Sequence, residues 1–312
     1  MIYRLRFLIT CCLSLFILIG HAEDQPFRIT LLGTGTPVPS ATRFGYSTLV
    51  EVGGQKLIFD FGRGLTIRLA QSNVPLGAID AHFLTHFHSD HVNGLPDLWL
   101  TGWLRPPYGS RQTPFVIYGP PGLRRLTDGL SQAFGQDLKI RSEDEQNPSQ
   151  GIAFETHEVM PGLIHEKNGV KVFAFSNDHG ALVTPSYGYR IEYGGKVAVL
   201  SGDTRYSMEV VRQGRGVDVL VHCVTVIPEE LLASNPAYKA IYEHLASPED
   251  AARVFAEAKP KLAVFSHIGL NGKATPQDLL ARTQQGYAGP VIVGQDLMTI
   301  NVLTATASPK AP

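Results

Sequence analysis

Four residues with metal-binding side chains lie within six positions of the chain, at His86, His88, Asp90 and His91. Imidazole and carboxylate groups are common ligands of zinc. The same side chains would be costly inside an apolar core, because buried polar groups need hydrogen-bond partners. A solvated polar loop is the competing interpretation, but it requires no such density of histidine. The cluster therefore predicts a metal-binding loop.

Three more candidate ligands, His179, Asp203 and His267, each follow an apolar run of strand length. Rigid strand ends hold ligands in place while the adjoining loops shape a substrate pocket. A lone histidine at such a place is usually structural, but three recurrences of one arrangement favour metal binding. Together with the loop, they supply enough ligands for two metal ions. Asp60 also stands at a strand end, where it either hydrogen-bonds a ligand histidine or caps a turn or a helix.

The elements that must hold these residues alternate between strands and helices. Ten apolar runs of strand length recur between residues 27 and 293, and helix-like stretches lie among them at residues 64–71, 95–104, 122–134, 248–258 and 276–285. Ser247 followed by Pro248 and two acids is a clear helix start. The polar segment 141–150 is predicted to be a surface loop, and the irregular segment 228–244 either covers the site or connects two elements. This alternation predicts a layered α/β architecture.

The first 22 residues have the composition of a secretory signal peptide. Arg4 and Arg6 precede an apolar run at residues 7–20, and small residues follow at the expected cleavage position. The run has 14 residues, fewer than the roughly 20 that a membrane-spanning helix needs. An uncleaved membrane anchor is the alternative. Both interpretations place the remaining domain, residues 23–312, outside the cytoplasm, as a periplasmic, secreted or membrane-anchored protein.

Export would change the chemistry available to the mature chain. Cys11 and Cys12 would leave with the signal peptide, so Cys223 would remain alone and no internal disulfide could form. The signal peptide also carries two arginines and no acids, so the mature chain would have 25 basic and 28 acidic residues and a net charge of −3. This balance argues against a general surface for binding polyanions.

Further motifs accompany the metal ligands along the chain. In chain order they are Leu-Gly-Thr-Gly-Thr-Pro at 32–37, Phe-Asp-Phe-Gly at 59–62, Tyr-Gly-Pro-Pro-Gly at 118–122, Gly-Tyr-Arg at 188–190 and Ser-Gly-Asp-Thr at 201–204. In this order the motifs resemble the metallo-β-lactamase superfamily, in the branch that contains ribonuclease Z and a group of zinc-dependent arylsulfatases. The resemblance spans nearly all of residues 23–312 and implies a four-layer αββα sandwich.

The resemblance also implies how the ligands divide between two metal ions. They form a first set of His86, His88 and His179, a second set of Asp90, His91 and His267, and a bridge, Asp203. Zinc is the expected metal, with manganese or iron as alternatives. Two zinc ions that share a water molecule lower its pKa towards about 7 and so supply hydroxide at neutral pH. The implied activity is ester hydrolysis by a metal-bridging hydroxide, with Asp90 among the catalytic groups.

Two histidines outside the ligand set are candidates for the proton donor to the leaving group. His222 ends a predicted strand, and His244 precedes the helix predicted at 248–258. Ribonuclease Z has a His-Glu-Ala-Thr motif after its bridging aspartate, and residues 222–225 look like its counterpart. Cys223 replaces the glutamate, so the partner that would tune the histidine is absent. A structural or substrate-contacting role for the two histidines is the alternative, and Cys223 itself is predicted to be structural.

Export and charge separate the substrate classes that the resemblance allows. The arylsulfatase-like group fits an exported chain, which favours a small anionic ester, either a sulfate ester or a phosphodiester, and argues against nucleic acid as a partner. A ribonuclease Z-type phosphodiesterase or endonuclease is the first alternative, although the acidic segment 142–145 would serve phosphate contacts poorly. A lactonase and a non-catalytic metal-binding protein are further alternatives. The oligomeric state stays open, with a homodimer among the options.

Overall fold

Fifteen strands form two β-sheets in the computed structural model, which describes residues 26–309. The strands are β1 (Phe27–Gly33), β2 (Ser47–Val52), β3 (Gln55–Phe59), β4 (Ala81–Phe83), β5 (Phe115–Gly119), β6 (Phe154–Glu158), β7 (Gly162–Lys167), β8 (Val170–Ser176), β9 (Tyr187–Tyr193), β10 (Lys196–Leu200), β11 (Val219–Val226), β12 (Leu262–Leu270), β13 (Val291–Val293), β14 (Thr299–Asn301) and β15 (Thr306–Ser308). The first sheet has the order β15-β14-β1-β2-β3-β4-β5-β6, and the second has the order β13-β12-β11-β10-β9-β8-β7.

Helices connect these strands and cover the outer faces of the sheets. They are α1 (Leu65–Gln71), α2 (Ser89–Val92), α3 (Leu95–Trp103), α4 (Leu123–Ala133), α5 (Gly135–Glu143), α6 (Ser149–Ile152), α7 (Met208–Gln213), α8 (Glu229–Ser234), α9 (Pro236–Tyr242), α10 (Pro248–Ala258) and α11 (Pro276–Gly286), with a 3₁₀ helix at Leu76–Ala78. None of the helices within residues 26–309 is long and apolar enough to cross a membrane. The predicted signal peptide, residues 1–22, lies outside the described residues.

Three clusters of buried hydrophobic side chains hold the layers together. One cluster lies between the two sheets and includes Phe59 from the first sheet and Val221 from the second. Another packs the outer face of the first sheet against α1, α3 and α4, with Trp99 of α3 fully buried. The last packs the outer face of the second sheet against α7, α10 and α11, with Phe255 at its centre. Apolar faces on both sides of each sheet require this cover, and the result is the four-layer αββα sandwich that was predicted.

Local sequence signals place several of the helices as expected. Ser247 accepts a hydrogen bond from the backbone N–H of Asp250, whose carboxylate accepts one in return from the N–H of Ser247, and Pro248 occupies the first turn of α10. This capping box satisfies two amide groups that a helix start would otherwise leave unpaired. Trp103, like Trp99, belongs to the core, since both side chains are fully buried and their indole N–H groups donate to backbone carbonyls.

The predicted surface loop at residues 141–150 is wrong at both ends. Helix α5 extends through Glu143, and α6 begins at Ser149. Arg141 pairs with Asp137 and with Glu145, each four residues away, and such pairs support a helix whose side chains remain in solvent. A helix of this kind has no apolar stripe, so the periodicity that reveals other helices is absent.

A central strand of the second sheet, β9, was not among the predicted strands. It runs antiparallel to both β8 and β10. Tyr187, Tyr189 and Ile191 are buried between the sheets, while the intervening positions are Gly188 and Arg190, which interrupt the apolar run. The alternation has the period of two that half-buried strands show, but glycine and arginine conceal it.

Candidate metal centre

All seven predicted ligands come together at one edge of the sandwich. His86 and His88 lie in the loop after β4, and Asp90 and His91 lie on the single turn of α2. His179 follows β8, and Asp203 follows β10. Neighbouring strand ends and short loops therefore bring residues up to 181 positions apart in the sequence into one cluster.

His267 differs from the other ligands because it lies inside a strand rather than after one. Strand β12 continues to Leu270, and His267 has a backbone φ of 46°, in the left-handed region. The pairing of β12 with β11 shifts in register here, between His222 and Val224. Bulges of this kind bend a strand and re-aim a side chain. The predicted end of this strand at Ser266 is therefore wrong, because the strand continues through the bulge to Leu270.

The ligand atoms form overlapping groups in which every atom lies within 4.8 Å of the others. The groups are His86 with His88 and His179, Asp90 with His91 and His267, and Asp203 with His86 and His91. The first two are the two sets that the resemblance implied. The third joins one histidine from each set to Asp203, as a bridging carboxylate requires.

Distances around Asp203 support its central position. Its Oδ2 atom lies 3.4 Å from Nε2 of His91, 3.1 Å from Nε2 of His267 and 3.9 Å from Nε2 of His179. The Oδ1 atom of Asp203 is buried and has no hydrogen-bond partner in the described residues. One carboxylate thus faces histidines of both sets and keeps a free oxygen among them.

The ring nitrogens of three ligand histidines are divided between the protein and the centre. Nδ1 of His86 is 2.9 Å from the hydroxyl of Thr85, and Nδ1 of His179 is 2.8 Å from the carbonyl oxygen of His244. Nδ1 of His91 is 2.8 Å from Oδ2 of Asp60. Each contact fixes the ring and the tautomer, so Nε2 points towards the other candidate ligands. This arrangement of donors fits a divalent metal ion.

The protonation states of His86, His179 and Asp203 also fit metal binding. Burial lowers the pKa values of His86 and His179, so both imidazoles are neutral. Burial alone would raise the pKa of Asp203, but His267 and His91 hold it well below its usual range, so the carboxylate is ionised. Neutral imidazole and ionised carboxylate are the forms that bind metals. The residue types of the site and their geometry therefore both indicate metal binding.

One buried carboxylate, Asp60, orients ligands of both sets. Its Oδ2 atom lies 2.8 Å from Nδ1 of His91 and accepts a hydrogen bond of 2.8 Å from the Thr85 hydroxyl, and its Oδ1 accepts one from the Thr85 amide. The Thr85 hydroxyl in turn contacts His86. Asp60 is fully buried with a φ of 60°, so it neither caps a helix nor faces solvent. Of its two predicted roles, the structure supports the contact with a ligand histidine.

Tyr46 and Asp296 support the site, and no sequence signal marked either. The Tyr46 ring packs 5.5 Å from the His91 ring and 5.6 Å from the His267 ring, between centroids. Asp296 accepts hydrogen bonds from the backbone amides of Thr34 and Phe44, at 3.0 and 2.7 Å. It thereby closes the loop between them, which forms one wall of the site. Both contacts join residues far apart in the chain, which a local motif cannot reveal.

A cavity of about 440 Å³ opens over the ligands. The ligands exposed to it are His88, Asp90, His179, Asp203 and His267. Its other walls come from the loop after β1, the helix α9 and the ends of β11 and β12, which contribute Thr36, Pro37, Val38, Thr225, Ala240, Ile241, His244, Leu245, Gly269 and Asn271. None of these described lining residues is a lysine or an arginine. The irregular segment 228–244 therefore does cover the site, through α9.

The two candidate proton donors lie in different surroundings. His244 lines the cavity, and its Nδ1 lies 2.5 Å from the carbonyl oxygen of Ala240. Nε2 is the ring nitrogen that does not take part in this contact. His222 is buried on the opposite face of β11, against the edge of the Phe255 ring at 5.7 Å between centroids. Burial lowers the pKa of His222 to about 4. The structure therefore corrects the expectation for His222, which cannot reach a substrate in the cavity.

Cys223 occupies the position of the glutamate in the ribonuclease Z motif and points towards the loop that holds Asp203. Its sulfur lies 3.2 Å from both the amide nitrogen and the carbonyl oxygen of Thr204. Burial raises the pKa of the Cys223 thiol to about 12, so the group stays protonated. A protonated buried thiol is a poor nucleophile. These contacts agree with the structural role predicted for Cys223.

Comparisons with known proteins identify the family. A family model described as Anti-Pycsar protein Apyc1 matches residues 27–245. Ribonuclease Z of Mycobacterium marinum is 34% identical over 280 residues, which are 88% of this chain and 98% of that protein. The chain belongs to the Anti-Pycsar protein Apyc1 family and to the ribonuclease Z branch of the metallo-β-lactamase superfamily. By this relationship it is a metal-dependent hydrolase, and its histidine and aspartate clusters could hold metal ions.

Solved structures of this superfamily share the fold. The short form of human tRNase Z matches with a TM-score of 0.66 and 24% identity, over 88% of this chain and 99% of that one. The metallo-β-lactamase fold protein YhfI from Bacillus subtilis matches with a TM-score of 0.66 and 18% identity, over 88% and 99% of the two chains. At these identities the likeness establishes the fold, and the site must be judged from its own residues.

Proposed function

We propose that this protein is a ribonuclease Z-type phosphodiesterase that uses two zinc ions. The observation that carries the proposal is the convergence of seven ligand side chains, with Asp203 between the two sets. Of the two small anionic esters predicted from the sequence, a sulfate ester or a phosphodiester, relatives named ribonuclease Z favour the phosphodiester. The linkages of an RNA backbone are phosphodiesters. The choice between a phosphodiester and a sulfate ester concerns the atom attacked, phosphorus or sulfur, and leaves the proposed metal site unchanged.

Bound zinc ions would supply Lewis acidity and activate water at neutral pH. The protein's own residues would then position the substrate and move protons. Asp90 lies at the cavity, with Oδ2 3.2 Å from Nε2 of His267, and with His91 and His267 it would hold one of the metal ions. His244 stands on the cavity wall with Nδ1 bonded to the protein, so its Nε2 is the nitrogen that would pass a proton to the leaving oxygen.

An RNA chain, the substrate type of the relatives' name, is the first candidate substrate class, and a small phosphodiester is the second. The cavity supports the second candidate. Its described walls carry no lysine or arginine beside the metal ligands, so the charge of one phosphodiester would be met by the metal centre alone. An RNA chain presents further phosphates on each side of the cleaved bond, and cationic side chains outside the cavity would have to meet them. Both candidates share the cleavage of a phosphorus–oxygen bond.

A parallel assay separates these possibilities. The purified protein, loaded with zinc, would be tested on bis(p-nitrophenyl) phosphate, p-nitrophenyl sulfate, a lactone and a precursor tRNA with a 3′ extension. We expect kcat/KM for the phosphodiester to exceed that for the sulfate ester by at least about tenfold, which corresponds to about 1.4 kcal/mol of transition-state stabilisation. A sulfate ester or lactone ranked first would refute the proposal. Cleavage of the tRNA without the small diester would identify the endonuclease.

The role of His244 can be tested with leaving groups of different basicity. We expect His244→Ala to lower kcat by about 10²-fold or more on a diester with an alkyl alcohol as leaving group, because that alcohol must be protonated as it leaves. The loss should be much smaller on bis(p-nitrophenyl) phosphate, because nitrophenolate leaves without a proton. The half-exposed His157, which pairs with Glu155, provides the control His157→Ala. Equal losses on both diesters would contradict a proton-donor role.

A further inference from the structure

Three residues at the ends of β11 and β12 line the cavity but belong to neither metal set. Thr225 lies near the end of β11, opposite Gly269 of β12, and Asn271 follows β12 directly. The mechanism proposed above gives them no task. Residues on adjoining strands of one sheet keep a fixed spacing, so this wall of the cavity is rigid.

The hydrogen bonds of Asn271 determine which of its atoms remains free. Its side-chain nitrogen donates to the carbonyl oxygen of Val226 at 3.1 Å and to the hydroxyl of Thr225 at 3.3 Å, and its backbone amide also donates to Val226. A carbonyl oxygen only accepts, so the amide nitrogen must face Val226. The Oδ1 atom of Asn271 is therefore left as an acceptor with no donor among the described residues.

Thr225 is the complementary member of the pair. Its hydroxyl oxygen accepts the hydrogen bond from Asn271, and its hydroxyl hydrogen has no acceptor within the described part of the chain. The residue is 1% exposed, although it borders the cavity. A Cβ atom at Gly269 would lie 2.7 Å from this hydroxyl oxygen, so only glycine leaves Thr225 in place. A donor and an acceptor thus stand side by side in the cavity wall.

Another part of the cavity lining is apolar. Val38 and Ile241 line the cavity together with Leu245. Ligand sites commonly combine such apolar walls with a few fixed polar groups, and the polar groups select the ligand. A flat ring between apolar side chains, with a polar edge towards Thr225 and Asn271, would satisfy both features.

We propose that Asn271 and Thr225 determine specificity by binding the amide edge of an uncharged heterocycle on a phosphodiester substrate, as in a nucleoside with an N–H beside a C=O. The ring N–H donates to Oδ1 of Asn271, and its carbonyl oxygen accepts from the hydroxyl of Thr225. This inference rests on the proposed phosphodiesterase function. The absence of lysine and arginine from the described lining residues agrees with a ligand part that carries no charge.

Three diesters with one leaving group test the proposal: the p-nitrophenyl esters of phenyl phosphate, of thymidine 5′-phosphate and of N3-methylthymidine 5′-phosphate. We expect Asn271→Leu to lower kcat/KM for the thymidine ester by about tenfold, mainly through KM, which is the effect of one lost hydrogen bond to a bound ligand. The phenyl and N-methyl esters should be cleaved equally well by both proteins, because neither presents the N–H. Thr225→Val should show the same selectivity with a smaller loss.

An equal loss of kcat/KM on all three esters would assign Asn271 a structural role and overturn the proposal. An unchanged kcat/KM of Asn271→Leu on the thymidine ester would also overturn it. Binding of thymidine 5′-monophosphate, measured by calorimetry, gives a readout that does not depend on hydrolysis. If the wild-type protein cleaves none of the esters, the proposed function fails. In that case weaker binding by Asn271→Leu still supports the recognition pair, and equal binding refutes it.

Discussion

Replacing Asp203 with alanine is expected to abolish hydrolysis, with kcat/KM falling by at least about 10³-fold. Among residues 26–309, Asp203 is the one carboxylate whose Oδ2 lies within 4 Å of histidines from both ligand sets. Its removal takes away the bridge and one of the buried carboxylates that face Nε2 of His91 and of His267. We also expect bound zinc to fall from two equivalents to one or fewer, as measured by elemental analysis after reconstitution and desalting.

The matched control is Asp128→Ala, since Asp128 is an exposed aspartate on α4. This variant should keep both the activity and two equivalents of zinc. Retained hydrolysis in Asp203→Ala would contradict the bridging role. Fewer than one equivalent of zinc in the reconstituted wild-type protein would contradict the two-metal centre itself, whatever the variant does.

Asp60→Asn is expected to have the next largest effect, although Asp60 is not itself a proposed ligand. An amide offers only one acceptor oxygen where the carboxylate accepts from the Thr85 amide, the Thr85 hydroxyl and His91. One of these donors would then face an NH₂ group. We expect zinc affinity to fall by about 10- to 100-fold, the usual cost of losing a partner that orients a metal-binding histidine. Competition with a chromogenic chelator measures this change.

Thr85→Val supplies the contrast for this experiment. It removes the hydroxyl between Asp60 and His86 but leaves the contact of Asp60 with His91 intact. We therefore expect Thr85→Val to lower the affinity for one of the two zinc ions and to leave the other affinity unchanged, whereas Asp60→Asn lowers both. The zinc-free variants should also be measured by thermal denaturation, which separates a loss of metal affinity from a loss of folding. Unchanged zinc affinity in Asp60→Asn would refute the orienting role.

The two candidate proton donors illustrate where sequence reasoning ends. His222 and His244 both stand at the edge of a predicted element, and the motif of ribonuclease Z made His222 plausible. Successive side chains of a strand point to opposite faces. In β11 this alternation turns Thr225 towards the cavity and His222 towards Phe255 and the outer helices. The sequence pattern does not reveal which face of a central strand meets the site, because both faces of β11 are buried.

The metal-binding loop was predictable because its chemistry is local. His86, His88, Asp90 and His91 lie so close in the chain that any compact conformation brings them together, and no core would hold them without a cation. The layered α/β fold was predictable for a similar reason, since each apolar run needs cover on both faces. These four candidate ligands could therefore be predicted from the sequence itself.

The tertiary structure alone decided which other groups serve these ligands. Asp60 meets His91 across 31 positions of the chain, and Asn271 meets Thr225 across 46. Hydrogen bonds over such separations depend on strand order and register, and a bulge at His267 adds a bend that no local motif encodes. The residue types and spacing of the metal-binding loop could be read from the sequence. The orientation of its side chains and the shape of the substrate cavity are determined by the packing of the two sheets.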